Sequence, residues 1–166
     1  MTLVLIDLQE RLVPAMLDGD QMVEAARKLM AGSDLLGRPV LATEQSPNKL
    51  GGTVAPLPLP SPAIAKMDFD ASTLILDRAA PDDTLVVAGC ETHICVLQTV
   101  AGLLRAGRKV VVAADAVSSR KALDRDTALT GMRSMGAEIS TAEAILFGWI
   151  GGADHPQFRE VSRLIK

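Results

Sequence analysis

Three residues far apart in the chain have the types that hydrolytic chemistry needs: Asp7, Lys66 and Cys95. Cys95 follows the apolar run Leu85-Val86-Val87-Ala88, then Gly89, then the turn Cys90-Glu91-Thr92-His93, and it opens an amphipathic segment. That order reads as a strand, a tight turn and a helix start carrying a thiol. Free N–H groups and the macrodipole at a helix start favour negative charge, so the thiol is expected to lean toward thiolate. The same N–H groups can hold a developing oxyanion. The plainer reading is a small buried hydrophobe, the usual state of a free cysteine.

A thiol nucleophile needs something to take its proton. His93 stands two residues before Cys95, and side chains so close in sequence do not face each other on a helix. His155 lies far along the chain. A buried carboxylate can do the same work. Asp7 ends the apolar run Thr2-Leu3-Val4-Leu5-Ile6 and has that environment; its plain alternative is a cap on a loop. Lys66 is expected to stabilise a thiolate or balance the carboxylate, against a solvated lysine with a buried stem. Asp115 ends another apolar run and reads as a turn former bonded to the Ser118-Ser119 backbone.

The elements that must position these residues alternate between strand and helix. Strands are expected at 2–7, 39–43, 63–66, 85–88, 110–114 and 137–141, the first and fourth as continuous apolar runs of buried parallel strands. Helices are expected at 21–36, from Asp70 or Ser72 to about Ala80, at 93–105 and 124–135, with helical endings at 141–144 and 156–165. Gly37, Gly107 and Gly136 are placed as helix stops. The Pro- and Gly-rich stretch 44–62 is the longest irregular segment, of the kind that is often functional.

Such alternation implies an α/β fold, a three-layer αβα sandwich around a Rossmann-like, doubly wound parallel sheet of six strands. The expected strand order is 3-2-1-4-5-6. Strands 1 and 4 are then neighbours at the switch point, where ligands sit outside the carboxyl ends. Asp7, Lys66 and Cys95 all fall at that edge.

The chain has 166 residues, read as a single domain over 1–166 that can bury its own core. No apolar run approaches the roughly 18–20 residues of a membrane span. Met1 leads directly into a strand, so no targeting segment is expected and the cytoplasm is the expected compartment. Net charge is −3 and aromatic residues make up 2% with no tyrosine, which argues against a nucleic-acid footprint and against base stacking. Two cysteines do not make a disulfide framework, and with only two histidines no metal site is expected. No cofactor is expected either: Asp7-Leu8-Gln9 stands where a dinucleotide fold has G-x-G-x-x-G.

The segments Leu5-Ile6-Asp7-Leu8-Gln9, Lys66, Gly89-Cys-Glu-Thr-His-Ile-Cys95-Val96 and Ala114-Asp115-Ala116-Val117-Ser118-Ser119 together resemble the isochorismatase-like cysteine hydrolases. The resemblance runs through nearly the whole chain in order. It is nearest the compact isochorismatase-domain branch, whose members have similar Thr43-Glu44-Gln45 and His155-Pro156-Gln157-Phe158 stretches. The resemblance implies a catalytic triad with Asp7 as general base, Lys66 as charge partner and Cys95 as nucleophile. It implies a cis Cys90–Glu91 peptide that aims the backbone N–H groups of Glu91 and Cys95 at one oxygen. It implies hydrolysis of amides and related C–N bonds of small molecules through an acyl-enzyme, and self-association as a homo-oligomer, a dimer or higher, through the late helices from Leu123 onward.

Two departures narrow this. Nicotinamidases in the family carry an Asp and two His metal ligands after strand 2, whereas this chain reads Thr43-Glu44-Gln45-Ser46-Pro47-Asn48-Lys49. Leu12 stands where the family often has an aromatic residue. Gln9, Leu12, Gln45 and Phe69 are the expected pocket residues, with a core position as the plain alternative for Phe69. The alternative to an enzyme is a binding or partner protein that keeps the fold without the reaction. A redox pair of Cys90 and Cys95 is disfavoured, because the turn is expected to pack Cys90 away from the nucleophile.

Overall fold

The computed structural model describes residues 1–166. Six parallel strands form one sheet: β1 (Thr2–Ile6), β2 (Val40–Gln45), β3 (Ile64–Lys66), β4 (Leu85–Cys90), β5 (Val110–Ser118) and β6 (Glu138–Ser140), in the order β3-β2-β1-β4-β5-β6. The expected topology is the observed one. Seven helices cover the faces: α1 (Gly19–Leu35), α2 (Pro47–Leu50), α3 (Ser72–Leu76), α4 (Leu97–Arg105), α5 (Ala122–Ser134), α6 (Ala142–Ile150) and α7 (Phe158–Leu164). None is long and apolar enough to cross a membrane.

The period of two along each strand divides the core. Leu3, Leu5, Val86, Ala88 and Val111 point to one face, where Ala26, Leu29, Leu146 and Val161 from α1, α6 and α7 cover them. Val4, Ile6, Leu85, Val87 and Val112 point to the other, where Ile75, Val100, Leu103 and Met132 from α3, α4 and α5 pack. With both faces covered, all five residues of β1 are buried, which is why it reads as one unbroken apolar run.

The structure corrects several expected elements: α3 closes at Leu76 rather than near Ala80, and α2 interrupts the stretch expected to be irregular. β5 does not stop at Ala114 but runs on to Ser118, through an irregularity in its pairing with β4 between Val87 and Gly89. Asp115 therefore lies inside the strand; its Oδ1 accepts the Ala142 N–H at the start of α6 instead of forming a turn with Ser118 and Ser119. The segment after Thr141 is a full helix, α6, with Ile145, Leu146, Trp149 and Ile150 buried. The helix expected over 93–105 opens with a π-helical turn, Thr92–Val96, before α4 begins.

Candidate active site

Asp7 is the residue just beyond β1, and it turns out of the sheet with a left-handed φ of 51°. Its side chain has no exposure, and both carboxylate oxygens are engaged. Oδ1 accepts the Thr43 hydroxyl at 2.7 Å, and Oδ2 accepts the Lys66 ammonium at 2.7 Å. Thr43 reaches it because β2 pairs with β1 in a register that sets Thr43 beside Ile6. Lys66 ends β3 and is equally buried. Its ammonium also donates to Gln45 Oε1 at 2.7 Å and to the Asp68 carbonyl at 3.2 Å, with the Phe69 carbonyl 3.5 Å away. A buried ammonium is tolerable only when paired and solvated by such acceptors.

Cys95 lies on the π-helical turn, 6% exposed, in the core layer that also holds Val4, Ile6 and Val96. Its thiol is pushed up to about 12, first by burial, then by the charge of Asp7, while Lys66 pulls it down; hydrogen bonding to the two side chains acts in the same opposed senses. This corrects the expected lean toward thiolate. Burial outweighs the helix start, so the resting nucleophile is a neutral thiol that needs a base. Asp7 and Lys66 are the two charged groups that act on it.

The turn leading to Cys95 has the peptide geometry that the resemblance implied: the Cys90–Glu91 bond is cis. The Glu91 carbonyl accepts the N–H groups of Ile94 and Val96, and the Glu91 N–H has no partner within the chain. The Glu91 carboxylate is held by Arg120 at 2.8 Å. Cys90 packs among Leu5, Ala88 and Ala113, while Cys95 belongs to the opposite core layer, and both thiols are free.

The expected pocket residues separate into distinct roles. Gln9 has no exposure and spends its amide on backbone: Nε2 donates to the Gln45 and Gly51 carbonyls, and Oε1 accepts the Gln45 N–H. Gln45 in turn receives Lys66 and donates to the Met67 carbonyl at 2.6 Å. These two glutamines brace β2 and Lys66 through every polar atom they have. Leu12 packs against the α1 layer, on the face opposite Cys95. Phe69 is half-exposed beside Lys66, as is the more exposed Met67, so Phe69 is not a core residue. Neither histidine faces the thiol: His93 Nδ1 is bonded to Ser119 Oγ at 2.9 Å, and His155 Nδ1 accepts the Gln157 N–H. Thr43 is the residue that sequence reasoning missed. The available signal was its place at the carboxyl end of the strand paired with β1.

A protein-family model described as "Isochorismatase domain" matches residues 1–144. The chain is 36% identical to mouse isochorismatase domain-containing protein 2A over 99% of its own length and 82% of the relative's. It is 34% identical to isochorismatase domain-containing protein 1 of Salmo salar over 96% of its length, and spans 59% of that protein. Among solved structures it is similar to one described as MAR1 ribonuclease from Caenorhabditis elegans, with TM-score 0.92, 36% identity, and 99% and 88% of the two chains covered. The YcaC gene product of Escherichia coli, described as an octameric hydrolase of unknown specificity, shares the fold at TM-score 0.76 and 20% identity, with 98% and 91% covered.

Proposed function

Since the chain belongs to the isochorismatase family, a family of hydrolase-like α/β proteins, we propose that it is a cysteine hydrolase acting on the C–N bond of small amides. The observation that carries this reading is the buried Asp7–Lys66 pair bearing on the Cys95 thiol. Asp7 takes the proton of the Cys95 thiol as the sulfur attacks the substrate carbonyl carbon. The oxygen that gains charge is received by the Glu91 N–H, with the Cys95 N–H as second donor. The tetrahedral intermediate collapses, the C–N bond breaks, and Asp7 returns its proton to the leaving amine. Water then attacks the thioester while Asp7 takes a proton from it. The acid product leaves and Cys95 regains its proton. Lys66 balances the carboxylate whenever Asp7 is ionised. Phe69 and Met67 supply the apolar rim that a substrate meets first. The reaction works on a neutral thiol, which fits the raised pKa of Cys95.

The site chemistry favours a small neutral substrate over a polyanion such as RNA, because the net charge is −3 and the Lys66 ammonium is already paired with Asp7. The protein is further proposed to act in the cytoplasm as a homo-oligomer, with exposed Leu123 on α5 and Met135 just past its end in the contact between copies. The test is release of ammonia or amine from a panel of small aliphatic and aromatic amides. Wild type is expected to turn over at least one of them. Asp7→Asn is expected to lose about 10²–10⁴-fold, and Cys95→Ala to lose all turnover. Activity near wild type in Cys95→Ala excludes the mechanism, and RNA cleavage that survives Cys95→Ala points to a different chemistry.

A further inference from the structure

Cys90 is a buried thiol for which the reaction above has no use. It sits at the end of β4, beside the point where Asp7 leaves β1. The left-handed Asp7 turns its carbonyl out of the strand ladder, and that oxygen accepts the Gln9 N–H at 2.8 Å. A carbonyl oxygen has a second lone pair. The Cys90 thiol takes it, with sulfur 3.2 Å from the Asp7 oxygen.

The contact depends on a close approach of the two strands. Gly89 lies opposite Ile6 in the parallel register, and a Cβ on Gly89 would run into the Ile6 backbone. With no side chain at 89, the ends of β1 and β4 draw together and Cys90 is carried against Asp7. The end of β4, which leads to the nucleophile, is thus tied by a side-chain hydrogen bond to the backbone of the base.

We propose that Cys90 is a positioning residue for Asp7: its S–H···O bond holds the left-handed turn that aims the carboxylate at Cys95. The proposal rests on the cysteine-hydrolase reading and deepens it. Cys90 touches no reacting atom, and its effect passes through the Asp7 backbone.

The test needs no substrate. Iodoacetamide alkylation of Cys95 is followed against pH by peptide mass spectrometry in wild type, Asp7→Asn, Cys90→Ala and Cys90→Ser. Asp7→Asn is expected to lower the alkylation midpoint by about one pH unit or more, because it removes a negative charge beside the thiol. Cys90→Ala is expected to shift the midpoint part of the way in the same direction, as the carboxylate loses its aim. Cys90→Ser, whose hydroxyl can donate to the same carbonyl, is expected to restore the wild-type profile. A wild-type profile in Cys90→Ala, or equal shifts in Cys90→Ala and Cys90→Ser, overturns the positioning role. An unmoved profile in Asp7→Asn removes the base reading, and the proposal with it. A second measurement covers a Cys90→Ala variant that fails to fold. In Cys95→Ser, Cys90 is the sole thiol, and its infrared S–H stretch is expected below that of a free thiol. An unshifted band overturns the proposal.

Discussion

The Lys66 ammonium meets the Asp7 carboxylate at 2.7 Å, with 2% and 0% of the two side chains exposed. Two opposite charges with almost no solvent are costly to assemble and costlier to separate. They persist because Thr43, Gln45 and two backbone carbonyls complete their hydrogen bonding.

Breaking this pair from one side is expected to be strongly destabilising. Lys66→Met leaves a buried carboxylate without its cation and is expected to cost about 3–5 kcal/mol in urea unfolding. The double variant Asp7→Asn with Lys66→Met is expected to recover much of that loss while remaining inactive. A double variant less stable than Lys66→Met contradicts the account of the pair.

Both thiols are held above the 9.0 of a free cysteine, first by burial and then by the Asp7 charge. In the unfolded chain they lose their protons first. Their contribution to stability is therefore complete below about pH 9 and is lost as pH rises toward the folded values. Between those limits the loss approaches about 1.4 kcal/mol per pH unit for each thiol. Urea unfolding across pH 8–11, in the order of magnitude set by that slope, is expected to fall more steeply in wild type than in Cys90→Ser or Cys95→Ser. Identical slopes in all three contradict the assignment.

Gln9 looked like a pocket residue and is a brace. Gln9→Leu keeps the volume but strips partners from the Gln45 N–H and from the Gln45 and Gly51 carbonyls. A loss of about 2–3 kcal/mol is expected, with the Lys66 environment disturbed through Gln45. A Gln9→Leu protein as stable as wild type is the outcome against it.

Gly89 has a φ of 131° and no room for a side chain against Ile6. Gly89→Ala is expected to lower stability by about 4 kcal/mol or more, seen as loss of soluble protein or a collapsed urea midpoint. Near-normal stability contradicts the close approach of β1 and β4.

The order of the strands was readable because β1, β4 and the first half of β5 are apolar runs, the others are bounded by turn residues, and parallel crossovers leave few arrangements. Asp7 and Lys66 were readable as edge residues because each ends such a run, and the switch point brings the edges together. The direction of the Cys95 pKa was not readable. It depends on how far burial outweighs the helix start, which sequence position does not reveal. Thr43, Gln9 and Gln45 were misjudged or missed for a related reason. Their partners are set by strand register and by the path of the 44–62 loop, where the backbone of Gly51, just past α2, comes back to meet Gln9. Asp115 was misread because an irregularity in the β4–β5 pairing lets β5 continue past it.

Cys95, and not Cys90, is expected to be the nucleophile for a small amide. Acrylamide is a small amide that alkylates thiols, and propionamide has the same shape without the reactive double bond. Acrylamide labelling at neutral pH, mapped by peptide mass spectrometry with and without excess propionamide, tests the claim directly. The expected result is labelling of Cys95 well ahead of Cys90, slowed by propionamide. Labelling of Cys95 no faster than Cys90, or unaffected by propionamide, contradicts it.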